Sequence, residues 1–387
     1  MDPQTISIED VKLPPGFCFA PTHTELIRHY LIKKILNRPL PSTAIMEYID
    51  FNDIDPDQLP ISDQFLAYYR GKEGYGFTQV VEGRTTRSGG HWKASGPEVP
   101  VMDGDEVIGF KTHFVYYSAG EEKCTHWTML EYRVNPGLIA TDSTNIDSTL
   151  VICKVQYKDD TENLSSDSDS SKKNENKMDS NNQTISIAEL PPGYHFKPTD
   201  PEVIHEFLIK KILNLPIRNT AIKDIAFYDF DPELLPIANR KEEAYFFTQV
   251  VAGPRTTKSG GHWKASGRDE SIMRGDEVSL DEVIGFKTFF VFYSAGEKKT
   301  SNWTMHEYRV NPGLFPAEST NETLKSKIDT FVICKVHKED DDDSSNDETT
   351  FSPSQLDQSE ETMDNETATS SRFQSDQSET SKSDDQS

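Results

Sequence analysis

Cysteine is scarce in this sequence, and its spacing is wrong for metal binding. Four occur in 387 residues (Cys18, Cys124, Cys153 and Cys334), with no C-x-x-C pair and no Cys/His ligand spacing. A zinc site or a disulfide framework is therefore not expected. Long apolar runs are missing too. None approaches the ~18–20 residues that span a membrane as a helix. The opening MDPQTISIEDVK lacks the basic start and apolar core of a secretory signal. A reducing compartment, cytosol or nucleus, fits these absences. No nucleophile–base pair, phosphate loop or metal cluster stands out, so an enzyme is not expected and no cofactor is implied.

Basic charge is in short supply overall, with a formal net charge of −25. The deficit is uneven. Residues 11–158 hold 15 basic and 18 acidic side chains, residues 188–338 hold 20 and 21, and residues 339–387 hold 2 and 16. The two long segments are nearly neutral, so each has room for a basic face.

What is present is present twice. LPPGFCF (Leu13–Phe19) returns as LPPGYHF (Leu190–Phe196), and LIKKILN (Leu31–Asn37) returns unchanged at Leu208–Asn214. EVIGFKT, EYRVNPGL and VICKV also recur, and SGGHWKASG stands at Ser88–Gly96 and again at Ser259–Gly267. A spacing of about 175 residues is too long for a solenoid unit and reads as a duplicated domain. The expected layout is a first domain at 1–158, a disordered linker at 159–187, a second domain at 188–338 and a disordered acidic tail at 339–387. The linker and tail are rich in Ser, Asp and Asn and too poor in apolar residues to fold alone. The linker spans roughly 25–32 Å on flexible-chain scaling, enough to join neighbouring domains.

Each repeat opens with a T-x-x-E capping box, Thr22 to Glu25 and Thr199 to Glu202, followed by apolar residues at helical spacing. Short aromatic and β-branched runs separated by Gly, Asn and Pro follow. The reading is α+β: one or two N-terminal helices, then an antiparallel sheet of about five or six strands. As a strand, GHWKASG puts Trp92 and Ala94 on one face and His91, Lys93 and Ser95 on the other. The second repeat divides Trp263 and Ala265 from His262, Lys264 and Ser266 in the same way. The polar face offers donors and no acid. Just upstream lie Arg84, Arg87, Arg255 and Lys258, residue types that contact phosphates and base edges. A plain edge strand guarded by lysine would account for the same string.

Taken in order, LPPGF-x-F-x-PT, D-x-x-P-x-x-LP, GHWKASG, VIGFKT–FVFYSAG and NWTMHEYRV resemble the NAC domain of plant transcription factors. The match appears twice and covers most of the chain. The resemblance implies a twisted antiparallel sheet flanked by a few helices, present twice, working as a dimer in the nucleus. It implies that the WKASG edge enters the DNA major groove, with His91, Lys93, Ser95, His262, Lys264 and Ser266 facing the bases. Arg84, Arg87, Arg255 and Lys258 match the family's upstream basic positions, and Arg268 continues the basic run after the second strand. At the matching place the first repeat reads Gly96-Pro97-Glu98, so the second repeat is expected to be the stronger DNA contact. The implied dimer interface includes Leu13, Glu25, Leu190, His195 and Glu202. Cys18 and His195 stand where the family carries an arginine that pairs with a glutamate across the dimer. Pairing is expected either within one chain or between chains. The acidic tail, with Phe351, Leu356 and Phe373 scattered through it, is either solubilising or activating, docking on a coactivator. The competing functional reading is an interaction module whose DNA face has weakened and which pairs with related factors.

Overall fold

The computed structural model describes residues 13–47, 53–59, 73–80, 83–121, 123–139, 149–158, 187–217, 221–237, 243–250, 253–274, 282–296, 300–316 and 321–338. All of these lie within one compact unit, residues 1–344. The expected linker, apart from Ile187, and the expected acidic tail lie outside the described residues.

Strand β1 (Phe17–Phe19) leads into helix α1. The helix starts as an α-turn at His23–Glu25, widens to a π-helical segment at Leu26–Leu31 and closes at Ile32–Ile35. The Thr22 hydroxyl accepts from the Glu25 N–H at 3.2 Å, and the Glu25 carboxylate accepts from the Thr22 N–H at 2.8 Å. This is the reciprocal cap that the T-x-x-E pattern predicts. Asn37, at φ 50°, ends the helix in the left-handed region. The apolar face of α1 (Leu26, Ile27, Tyr30 and Leu31) is buried against the first sheet.

That sheet comprises β2 (Glu73–Gln79), β3 (His91–Ala94), β4 (Val99–Asp103), β5 (Glu106–Tyr117), β6 (Trp127–Val134) and β7 (Leu150–Tyr157). Its order is β2-β7-β6-β5-β3, with β4 also pairing β5, and every pairing is antiparallel. After β8 (Tyr194–Phe196) comes helix α2, made of Asp200–Glu202, a π-helical Val203–Leu208 and Ile209–Ile212. The second sheet holds β9 (Lys223–Asp224), β10 (Ala244–Gln249), β11 (Arg255–Thr256), β12 (His262–Ala265), β13 (Glu270–Met273), β14 (Val283–Tyr293), β15 (Thr300–Val310) and β16 (Phe331–Lys338). Its order is β11-β12-β14-β15-β16-β10-β9, with β13 on β14.

The expected strand number of five or six matches the first sheet. The second gains the two-residue strands β9 and β11 at its edges. A further helix, α3 (Glu322–Thr330), precedes β16 and is capped by the Asn321 side chain, which accepts from Leu324 N–H at 2.8 Å. Asn321 as a cap with Leu324 and Ile328 four apart was its signal in the sequence.

Beyond the core motifs, the two sheets differ at a partly buried site between their last two long strands. His306 on β15 stands directly opposite Lys335 on β16, where the first sheet has Leu130 opposite Lys154. Burial, together with Lys335 and Lys287, holds the His306 imidazole down at about 4. Its Nδ1 has no hydrogen-bond partner among the described residues. The unfolded chain takes up this proton near pH 6.5 and the folded chain only near 4, so stability is complete above 6.5 and falls as pH drops through that window. His306→Leu is expected to flatten that fall and raise the unfolding temperature at about pH 5. Thermal melts of both proteins across the window would check it, and parallel curves would contradict it.

Candidate nucleic-acid interface

Strands β3 and β12 each hydrogen-bond along one side of a long strand, β5 and β14. Their inner faces are anchored by Trp92, packed on Tyr116 with ring centroids 5.0 Å apart, and by Trp263, packed on Phe292 at 5.0 Å. On the outer faces His91 stacks on Tyr117 at 5.2 Å and His262 on Tyr293 at 5.2 Å. Lys93 Nζ lies 5.8 Å from the Tyr117 centroid and Lys264 Nζ 6.0 Å from that of Tyr293. The alternation read from the sequence holds for Trp against His and Lys. Ala94 and Ala265 share the tryptophan face, opposite Phe114 and Phe290, but are exposed at the strand ends. Ser95 lies one residue past β3, and its hydroxyl meets His113 Nδ1. Ser266 is partly covered, and its N–H donates to Phe289 O at 2.8 Å.

The turn before each strand is built on paired glycines. Gly89 and Gly260 sit at φ +93° and +94°, where other residues are strained. A Cβ on Gly90 would meet Tyr116 Oη at 1.9 Å, and one on Gly261 would meet Phe292 Cζ at 2.5 Å. An aspartate from the D-x-x-P element closes each turn. Asp55 accepts from Ser88 Oγ at 2.7 Å and Tyr116 Oη at 2.5 Å. Asp231 accepts from Ser259 Oγ at 2.6 Å and Thr257 Oγ1 at 2.5 Å. Burial raises the Asp55 carboxyl, but the hydroxyls of Thr86, Tyr116 and Ser88 outweigh it and hold the group below its ordinary range. This clamp is invisible as a sequence pattern, because the aspartate lies some thirty residues from the turn it holds.

The upstream basic residues divide into two kinds. Arg84 and Arg255 turn inward. Arg84 donates to both Glu131 oxygens, at 2.5 and 2.8 Å, and lies over Phe114 at 4.4 Å. Arg255 donates to both Glu307 oxygens, at 2.9 and 3.2 Å. Glu307 is only 1% exposed. Arg87 and Lys258 point outward, with side chains 80% and 73% exposed, each tethered to an aspartate (Asp53, and Asp229 at 2.8 Å).

The acid after each strand also has a partner. Glu98 pairs with Arg133, and Asp269 with Arg309 at 2.5 Å. The two repeats therefore share this acid and differ in the residue before it, Pro97 against Arg268. Among the described residues, Lys93, Lys264 and Arg268 remain on these edges without a carboxylate partner.

Strands β1 and β8 pair antiparallel with each other, Phe17 opposite Phe196, Cys18 opposite His195 and Phe19 opposite Tyr194. Phe17 and Phe196 pack edge-on at 5.4 Å. Leu13, Leu190 and Tyr194 all pack on the first core. Tyr30 Oη donates to Pro192 O at 2.7 Å. Glu25 Oε2 meets His195 Nε2 at 2.8 Å, and Glu25 Oε1 accepts from Gly193 N–H at 3.1 Å. Burial raises the Glu25 carboxyl, but His195 and Thr22 win and bring it down to about 2. Glu202 keeps its carboxylate on its own cap, accepting from Thr199 N–H at 2.9 Å. The structure thus brings Leu13, Glu25, Leu190 and His195 together at this seam, and Glu202 caps the start of α2.

A mainly antiparallel sheet with a capped helix packed on it and a glycine-hinged H-W-K-A strand defines the class. A family model described as No apical meristem (NAM) protein matches residues 14–134 and 191–310. That is more than half of the chain, and the chain belongs to the NAC (NAM) family. It is 37% identical over 161 residues to NAC domain-containing protein 79 of Arabidopsis thaliana, covering 39% of this chain and 46% of that protein. It is 33% identical over 166 residues to NAC domain-containing protein 58 of Oryza sativa subsp. japonica, covering 39% and 42%. It is 31% identical over 173 residues to NAC transcription factor NAM-1 of Hordeum vulgare subsp. vulgare, covering 40% and 43%. The chain spans less than half the length of these relatives.

Proposed function

We propose that this chain is a nuclear, sequence-specific regulator of transcription that binds double-stranded DNA through β3 and β12. Two NAC domains stand in tandem in this reading and pair with each other within one chain. The observation that carries it is the outward row of His and Lys on β3 and on β12, anchored from behind by a buried Trp. Lys93, Lys264 and Arg268 supply the uncompensated charge, and Lys and Arg are suited to phosphates and guanine edges. The second repeat carries two of these three cations, which supports unequal roles. Arg87 and Lys258 reach DNA only by exchanging their aspartates for phosphate, while Arg84 and Arg255 act by holding the turn. The acidic segment 339–387 serves as the activating arm.

The test uses duplex sites recovered from a random pool by the intact chain. Lys264→Ala with Arg268→Ala is expected to weaken binding by about thirtyfold to ten-thousandfold, from two contacts of about 1–3 kcal/mol each, and to lower the salt slope. Circular dichroism confirms that the fold persists. Unchanged binding would favour the second reading, an interaction module. That reading draws its support from the number of basic side chains already satisfied by acids.

Pairing within the chain predicts a single-chain mass by light scattering at micromolar concentration, since the linker keeps the partner at millimolar effective concentration. A stable two-chain mass would replace it with pairing between chains.

A further inference from the structure

Strands β3 and β12 carry the same sequence, but the strands beside them do not. One residue past the register Ala94–Phe114, the Ser95 N–H donates to His113 O of β5 at 2.9 Å. One residue past Ala265–Phe290, the Ser266 N–H donates to Phe289 O of β14 at 2.8 Å. The backbone therefore holds the two serines alike. Their side chains meet different neighbours. Ser95 Oγ reaches His113 Nδ1 and lies 3.4 Å from His113 O. A hydroxyl has a single proton to give. When Nδ1 accepts, the ring takes that proton. When Nδ1–H donates, the proton turns to the carbonyl oxygen. In either tautomer His113 engages it.

Phe289 offers only a ring with no donor or acceptor, which packs beside His306 at 5.2 Å. Among the described residues Ser266 Oγ has no hydrogen-bond partner, and the residue is partly open to solvent. Lys264, two residues earlier on the same face, is exposed. The acceptors of the major groove are guanine O6 and N7, adenine N7 and thymine O4, and each calls for a donor with a proton to give. Ser266 has one available. Ser95 must first give up His113.

Resting on the DNA-binding reading, we infer that Ser266 is the serine that donates to a base-edge acceptor in the major groove, and that His113 is a positioning residue that withholds the Ser95 hydroxyl from the same role. The repeats then differ in what they read as well as in charge. Arg268 adds attraction next to β12, and the Ser266 hydroxyl adds discrimination at one base pair. The first strand meets DNA through Lys93 and contributes less to the choice of sequence.

The test measures the affinity of the full chain for the duplex sites it selects from a random pool. Ser266→Ala is expected to weaken binding about two- to twelvefold, the range of one net hydrogen bond, and to relax selection at one base pair. Ser95→Ala is expected to change affinity by less than about 1.5-fold. His113→Phe copies the second repeat, which accommodates Phe289 at the same place. In that background Ser95→Ala is expected to cost as much as Ser266→Ala does in the parent chain. His113→Asn, which still reaches the hydroxyl, keeps Ser95→Ala silent. Without DNA, Ser95→Ala is expected to shift the imidazole nitrogen NMR signals of His113. Unshifted His113 signals would overturn the inference. So would equal losses for the two serine variants, or a Ser95→Ala that stays silent after His113→Phe. Lys264→Ala tells these results from a failure of the DNA-binding reading: it weakens binding if that reading holds, and an unchanged affinity would remove both.

Discussion

Glu307→Ala is expected to cost the second repeat about 3–5 kcal/mol, the usual loss when one member of a buried ion pair is removed. Glu307 is 1% exposed and holds Arg255 through both oxygens. It also accepts from Tyr228 Oη. Without it, a guanidinium and a phenol lose their partner in the interior. Burial works against the Arg255 charge, and the Glu307 hydrogen bond more than compensates, so the guanidinium pKa stands above its ordinary value. Urea unfolding followed by tryptophan fluorescence would measure the loss. Glu131→Ala should be milder, because Glu131 is 7% exposed. A loss below about 1 kcal/mol at Glu307 would mean that water reaches the pair and the site is not closed. The consequence reaches the interface, since Arg255 begins the turn that presents His262 and Lys264.

Gly285→Ala is expected to be nearly as damaging, by about 3 kcal/mol. An added Cβ would lie 2.6 Å from the Arg309 carbonyl oxygen and 2.7 Å from Ile204 Cδ1. The carbonyl belongs to β15, the neighbour of β14 in the middle of the sheet, and it cannot step aside without breaking the ladder. Ile204 belongs to the buried face of α2. The glycine therefore sets how closely the helix lies on the sheet. Gly96→Ala makes the contrast: a Cβ there meets nothing within 4 Å, and the change is expected to stay within about 0.5 kcal/mol. Equal effects at the two positions would refute the packing argument.

The local parts of this structure were legible in the sequence. T-x-x-E boxes start both helices, and period-2 alternation separates Trp92 from His91 and Lys93. What was not legible depends on distant partners. Nothing near Arg84 in sequence says that its guanidinium belongs to Glu131, which is 47 residues away. The same holds for Asp55 at its turn. An arginine beside an exposed basic strand looks free for a phosphate until its acid is found. Glu98 misleads in the opposite sense. As a bare sequence it seems to repel phosphate, but it is neutralised by Arg133, and its counterpart Asp269 does the same for Arg309. The π-helical widening at the start of α1 and α2 was equally hidden, with no residue pattern announcing it.

The β1–β8 seam carries one further consequence. Two identical chains meeting along such a seam make a junction with no front or back. Here Cys18 lies opposite His195, so Glu25 meets an imidazole across the seam while the matching place in the first repeat holds a thiol. The junction therefore has polarity. If the chain binds DNA as proposed, a molecule with polarity would favour one orientation on a two-part site. Reversing an imperfect palindrome within its flanking sequence would then change how well it is occupied, although its base composition stays the same.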